Sequence, residues 1–173
     1  IGELSKKRRN SAMLIYSMFE LYKKGFRNFK VTIIGNGNIE TLPSGLLEHF
    51  DILGRIDYQS MFEEIKNADF ILPLLDPTLK EHERYLSLGT SGSFQLAYGF
   101  LKPCVLHGAF AKAYEFTNEN SIIYEKNEDF VFALQKALEM ENRDYQTIVQ
   151  NLKTKKEKLN EKSLKNLSDI LKL

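Results

Sequence analysis

The sequence predicts an α/β domain whose parallel sheet is covered by helices on both faces. Two observations carry that reading. Short apolar runs without in-and-out alternation, such as Val31-Thr32-Ile33-Ile34, mark strands buried on both sides. Segments with helical spacing of apolar residues separate them almost throughout, the pattern of β-α-β crossovers. Right-handed crossovers then leave few topologies. At 173 residues with 43% hydrophobic content, an open, doubly wound, Rossmann-like sheet fits best.

The elements follow in order. Residues 10–24 read as an amphipathic helix, with Leu14, Met18, Leu21 and Tyr22 on one face and Gly25 as its C-terminal stop. The strand at 31–34 ends in the turn Gly35-Asn36-Gly37. A short helix is expected over 41–49, then a strand at 50–53 closed by Gly54. Met61, Phe62 and Ile65 share one face of a helix over 58–67. A third strand at 70–72 is broken by Pro73. Residues 91–101 form a helix, and 103–106 and 121–124 form strands. A helix at 130–140 precedes a long polar one at 144–171. That tail has too few apolar residues for a core helix. Leu152, Leu159, Leu167 and Ile170 give it a thin stripe suited to lying on a surface.

Composition excludes several classes. A net charge of +1 gives no global field favouring nucleic acid or an anionic membrane. One cysteine, Cys104, excludes an internal disulfide and suits a reducing compartment. No apolar run approaches the roughly 18 residues of a membrane span, and no signal-peptide pattern stands at the start. The chain opens on Ile1 and is read as a piece of something larger. His49, His82 and His107 lack metal-ligand spacing, so no metal is expected.

In such a sheet, ligands bind outside the carboxyl ends of the strands, where helix N-termini point. The loops to inspect are 2–10, 35–38, 54–58, 73–93 and 107–114. The most informative stretch is Gly89-Thr90-Ser91-Gly92-Ser93, where glycines and hydroxyl residues precede a helix. Backbone N–H groups, a Thr90 or Ser91 cap and the helix dipole make an anion site there, although an ordinary N-cap has the same composition. It is not a Walker loop. The basic cluster Lys6-Lys7-Arg8-Arg9 is misplaced for a helix N-terminus, so clamping phosphate stands level with being a solvated helix start. Carboxylates over 76–83 line the same edge and read as solvated loop residues. Cys104 reads as core.

Taken in order, the loops resemble the C-terminal, donor-binding half of GT-B glycosyltransferases of the retaining family 4. The likeness runs from Ile1 to about Met140. Ile1-Gly2-Glu3-Leu4 resembles the family's opening strand end, and 30–37 its strand ending in Gly-Asp-Gly. Ile52-Leu53-Gly54-Arg55-Ile56 with Ala68-Asp69-Phe70-Ile71-Leu72-Pro73 resembles its most recognisable stretch. Lys102-Pro103-Cys104-Val105 and Ser121-Ile122-Ile123-Tyr124 resemble two later segments.

The resemblance implies a nucleotide-sugar-binding domain over 1–142 and a Lys-rich helix over 143–173. Its donor is a UDP- or GDP-sugar, with no cofactor and no metal. The base and ribose would lie against Gly54, Arg55, Tyr58 and Gln95. The diphosphate would lie against Arg8, Arg9, Gly89, Thr90, Ser91, Gly92 and Ser93. Transfer to a glycan or lipid-linked acceptor in surface-polysaccharide or lipopolysaccharide-type synthesis would need an N-terminal acceptor domain that this chain lacks. This fragment alone is then expected to be inactive, and the setting is cytoplasmic. The final helix would cross to that domain, touch the inner membrane face, or simply be solvated. The family's paired glutamates, seven residues apart, fall here on Leu88 and Leu96. That departure leaves a non-catalytic nucleotide-binding module as the alternative. An unrelated dinucleotide-binding fragment is disfavoured, because no Gly-x-Gly-x-x-Gly turn is present.

Overall fold

Helices and short strands alternate along the chain in a computed structural model that describes residues 1–2, 8–37 and 41–171. Helix α1 (Ser11–Lys23) begins at Asn10, whose side chain accepts the Met13 N–H. Strand β1 (Val31–Ile34) follows. The helix expected over 41–49 is a 3-10 turn, Ser44–His49, leading into β2 (Phe50–Gly54). Asp57 caps α2 (Tyr58–Asn67) by accepting the Ser60 N–H. After α3 (Lys80–Ser87) come α4 (Gly92–Phe100), β3 (Val105–His107), α5 (Gly108–Ala113) and β4 (Ile122–Tyr124). The chain finishes with α6 (Phe130–Leu138) and α7 (Asn142–Leu171).

Two helices lie where the sequence reading had only loops. Helix α3 buries just His82 and Tyr85, one turn apart, so it carries no apolar stripe to detect. Helix α5 has 6 residues, too few to show a period.

The strands form parallel pairs, β1 with β2 and β3 with β4. The third strand expected at 70–72 is reduced to one parallel bridge, Ile71 to Cys104. Its backbone bonds are Ile71 N–H to Pro103 O (3.0 Å) and Val105 N–H to Ile71 O (3.2 Å). Two local features stop it. Pro103 has no N–H to donate, and beyond Pro73 the chain turns at Leu74 into a left-handed conformation, φ 53°. The Gly2 N–H donates to Ile34 O at 2.8 Å, laying the start of the chain beside β1. The architecture is thus mixed α/β with short parallel strand pairs and a long C-terminal helix, rather than one regular doubly wound sheet.

Two apolar clusters hold the elements together. Leu14, Met18 and Leu21 of α1 meet Ile33, Phe50, Phe130 and Leu134 in one. Phe94, Phe110, Ile65, Ile71 and Leu106 form the other, and Leu152 of α7 joins them with 0% exposure. The first half of the tail therefore packs on the domain through Leu152, one residue of its thin apolar stripe. That half is also pinned by Tyr145 Oη donating to Asp69 O (2.9 Å) and by the Lys155–Glu115 ion pair (2.6 Å). Residues 160–171 are exposed along their length. Among the described residues no helix is long and apolar enough to cross a membrane.

Candidate functional site

The carboxyl ends of the strands are joined by close backbone approach. The Gly35 N–H donates to Gly54 O at 2.8 Å. Gly35 has φ +140°, and a Cβ there would overlap the Gly2 carbonyl oxygen. A Cβ on Gly2 would in turn stand 3.1 Å from Arg9 Nη2. Arg9 Nη2 donates to Ser93 Oγ at 3.3 Å, at the first turn of α4. A continuous rim thus runs from the end of β2 to the N-terminus of α4.

Arg9 is the centre of this rim. It is 8% exposed and donates to Arg8 O (2.7 Å), Ile1 O (3.2 Å) and Ser93 Oγ. None of these partners is a carboxylate. Burial pulls its pKa below the ordinary arginine value, and a guanidinium still stays charged. A buried cation beside a helix N-terminus, held by neutral oxygens, creates a local positive potential that an anion would relieve. Arg8 is exposed and reaches Tyr85 Oη of α3 at 3.4 Å.

Behind Arg9 lies a polar network that the sequence reading treated as solvated loop. Asp76 is 3% exposed. Its Oδ2 accepts from Asn10 Nδ2 (2.8 Å) and Asn127 Nδ2 (2.9 Å), and its Oδ1 from the Thr78 N–H (2.9 Å) and Oγ1 (2.7 Å). Burial pushes this carboxyl up, but the bonds from Thr78, Asn127 and Asn10 outweigh it and leave the pKa below the usual range. The Asp76 N–H donates to His82 Nδ1 at 2.8 Å. The neutral imidazole therefore carries its proton on Nε2. Burial holds His82 below the ordinary histidine pKa, and the nearby Arg9 charge adds to this.

The Gly89–Ser93 stretch is fixed from below by Tyr114. Its Oη donates to Gly89 O (3.0 Å) and accepts the Ser91 N–H (3.3 Å), while its ring lies 4.0 Å from that of Phe94. Ser91 occupies the N-cap position of α4, but its side chain makes no capping bond. Its Oγ is buried and unpartnered, as are Arg9 Nε, His82 Nε2 and Asn127 Oδ1 among the described residues. Thr90 and Gly92 are exposed.

The structure thus brings Arg9, Ser91 and Ser93 together, with Arg8 and Gly89 adjoining. Gly54 joins the same rim through Gly35. Arg55 and Tyr58 are exposed at the far end, with Tyr58 beginning a row of rings with Phe62 (6.3 Å) and Phe100 (5.2 Å). Gln95 is exposed on the first turn of α4. Leu88 is 94% exposed and Leu96 packs partly into the second core, so neither offers a polar contact. Glu3, Lys6, Lys7 and Asn38 lie outside the described residues.

Sequence reasoning missed Asp76, His82, Tyr85, Tyr114 and Asn127 as parts of the site. The available signal was Asp76-Pro77-Thr78, an Asx-turn pattern in the loop after the expected third strand. Three other reactive residues stand apart from the rim chemistry. Cys104 is fully buried, and burial pushes its thiol up. His107 accepts the Ala109 N–H at 3.1 Å and so caps α5. Tyr98 and Lys102 have the Tyr-x-x-x-Lys spacing of some reductases. However, Tyr98 Oη donates to Tyr114 O (3.0 Å) and Lys102 Nζ to Lys66 O (2.7 Å), so each is spent on backbone.

No protein-family model matches this sequence, and no curated protein matches it.

Proposed function

We propose that this chain binds a nucleotide-diphosphate sugar along the rim from Gly54 to Ser93 and is the donor-binding half of a glycosyltransferase. The observation that carries the reading is Arg9, a buried guanidinium that has no carboxylate partner among the described residues and is tied to Ser93 at the N-terminus of α4. A diphosphate placed there meets positive charge, the helix dipole and the Ser91 and Ser93 hydroxyls. Gly54, Arg55, Tyr58 and Gln95 then receive the base and ribose. The strand pairs fit this assignment. Gly2 bonded to Ile34 places the chain's start beside β1, and Ile71 bridged to Cys104 adds to the β3–β4 pair, so each parallel pair gains a neighbour as a nucleotide-binding α/β domain requires.

In the transfer, the acceptor hydroxyl bonds to the anomeric carbon as the bond from that carbon to the diphosphate breaks; charge builds on the leaving phosphate, which takes up the hydroxyl proton. Arg9, with Arg8 at the rim and the backbone N–H groups that open α4, stabilises that charge. The acceptor, a glycan or lipid-linked sugar, belongs to a separate domain that faces this rim from the cytoplasmic side of the membrane. A non-catalytic nucleotide-binding module is the second reading. It is favoured by the exposed Leu88 and the half-buried Leu96, where the resembling enzymes carry glutamates.

A thermal-shift and calorimetric screen with UDP, GDP and their sugars tests the proposal. A ligand at a hundred times its Kd stabilises the folded chain by roughly 2.7 kcal/mol. Binding should weaken strongly in a double variant, Arg9→Ala with Ser91→Ala. If no nucleoside diphosphate binds at millimolar concentration, the donor-domain reading is wrong. Unchanged affinity in the double variant would displace the diphosphate from this rim.

A further inference from the structure

We propose that His82 is a phosphate-binding residue of this site, donating from its neutral Nε2–H alongside Arg9 and Ser91. The proposal rests on the donor-site reading and adds a residue that neither the resemblance nor the loop pattern assigned.

The tautomer is set by geometry. With the Asp76 N–H donating to Nδ1 at 2.8 Å, only Nε2 is available to carry the ring proton. His82 is 0% exposed, and Nε2 has no hydrogen-bond partner among the described residues. Arg9 Nε and Ser91 Oγ are in the same condition. These are donors: an arginine Nε–H has no other role, the histidine Nε2–H is fixed by its neighbour, and a serine hydroxyl can donate freely. A buried donor left unsatisfied costs roughly 1–3 kcal/mol, and native structures pair nearly all such groups. His82 lies close enough to feel the Arg9 charge, and Arg9 reaches Ser93, two residues past Ser91, so these unmatched donors share one neighbourhood and call for a group made of acceptors, which is what a phosphate is.

The backbone gathers these residues. Helix α3 carries His82 and, one turn later, Tyr85, which meets Arg8 at 3.4 Å. Two residues past α3, Gly89 is held by Tyr114, which also holds the Ser91 N–H. Arg9 reaches Ser93 from the opposite side. His82 itself is anchored through Asp76 to Asn10 at the start of α1 and to Asn127 after β4. The network behind His82 thus serves to hold one N–H in place. A neutral donor of this kind adds to binding without adding charge, which a site already holding a buried guanidinium needs least.

Two substitutions separate the donor from its anchor. In His82→Asn the side-chain oxygen can still accept the Asp76 N–H, but the Nε2 donor is gone. In His82→Gln the amide nitrogen can reach the Nε2 position while the anchor is lost. Pyrophosphate and UDP are titrated calorimetrically into this chain and both variants, with circular dichroism confirming the fold. His82→Asn should bind pyrophosphate about tenfold more weakly or worse, as for a hydrogen bond to a charged group. His82→Gln should stay within about threefold of the parent. Nitrogen NMR of the parent should show a neutral Nε2–H ring whose Nε2 resonance moves on adding pyrophosphate. Parent-like affinity in folded His82→Asn, a stationary Nε2 resonance, or no pyrophosphate binding at all would overturn the proposal. If pyrophosphate binding depends on His82 but UDP never binds, the phosphate site stands and the nucleotide reading falls. If UDP binds equally to parent and His82→Asn, the reverse holds.

Discussion

Replacing Asp76 by alanine should cost about 3 kcal/mol of stability, mostly through the amides it leaves behind. Asp76 accepts four hydrogen bonds on its two oxygens, from Asn10, Asn127 and both donors of Thr78. Thr78 is exposed, so water replaces Asp76 there at little cost. The Asn10 and Asn127 amides are half-buried and face the vacated position. Each unsatisfied donor costs roughly 1–3 kcal/mol, and taking the low middle of that range for both gives about 3 kcal/mol. For a chain of this size that corresponds to a fall in Tm of roughly 6–12 °C. Asp76→Asn keeps the shape but turns an NH2 toward one set of donors, so it should lose roughly half as much. Urea unfolding near neutral pH measures both, with the slope against denaturant checking that the unfolded state is unchanged. A loss under about 0.5 kcal/mol in Asp76→Ala would mean that the carboxylate is solvated and does not hold α1 to the segment after β4.

Two further outcomes follow from the same structure. Leu152→Ala should cost roughly 2–5 kcal/mol by opening a cavity against Phe94 and its neighbours, whereas Leu167→Ala, 53% exposed at present, should change stability by less than about 0.5 kcal/mol; comparable losses would show that α7 docks along its whole length. Stability should decline as pH falls below about 6.5, because His82 titrates lower in the folded chain than in the unfolded one and the unfolded chain takes up the proton first. The groups around the ring are Arg9, Asp76, Glu81 and Tyr85. Asp76, with its lowered pKa, adds a second loss only when the pH falls below the usual carboxylate range. His82→Asn should remove the first slope and keep the second, as read from unfolding curves across that window.

Much of the element order was legible because burial on both sides of a strand leaves a continuous apolar run. Ile33 and Ile34 of β1 show it, although Ile52 and Leu53 of β2 are exposed, and Leu14, Met18 and Leu21 repeat at helical spacing. Gly35 marked a turn for the same kind of local reason, since its φ admits no other residue comfortably. Arg9 and the Gly89–Ser93 stretch, both singled out from composition, come together at the N-terminus of α4. Where the sequence reading failed, the deciding contacts came from far along the chain. Helix α3 forms around His82 and Tyr85, whose neighbours Asp76 and Arg8 come from a preceding loop and from the chain's start.

The sequence by itself therefore determined the alternation of strands and helices and the buried character of Cys104. Periodicity and turn chemistry are local, and a short window records them. Only the tertiary structure decided that the expected third strand is a single bridge at Ile71, that Leu152 belongs to the core, and that Asp76 is buried rather than solvated. It also decided that Arg9, which stands 84 positions from Ser93, meets it at hydrogen-bond distance. Burial is a property of what other segments cover, and the same carboxylate or guanidinium costs little in water and several kcal/mol in the interior.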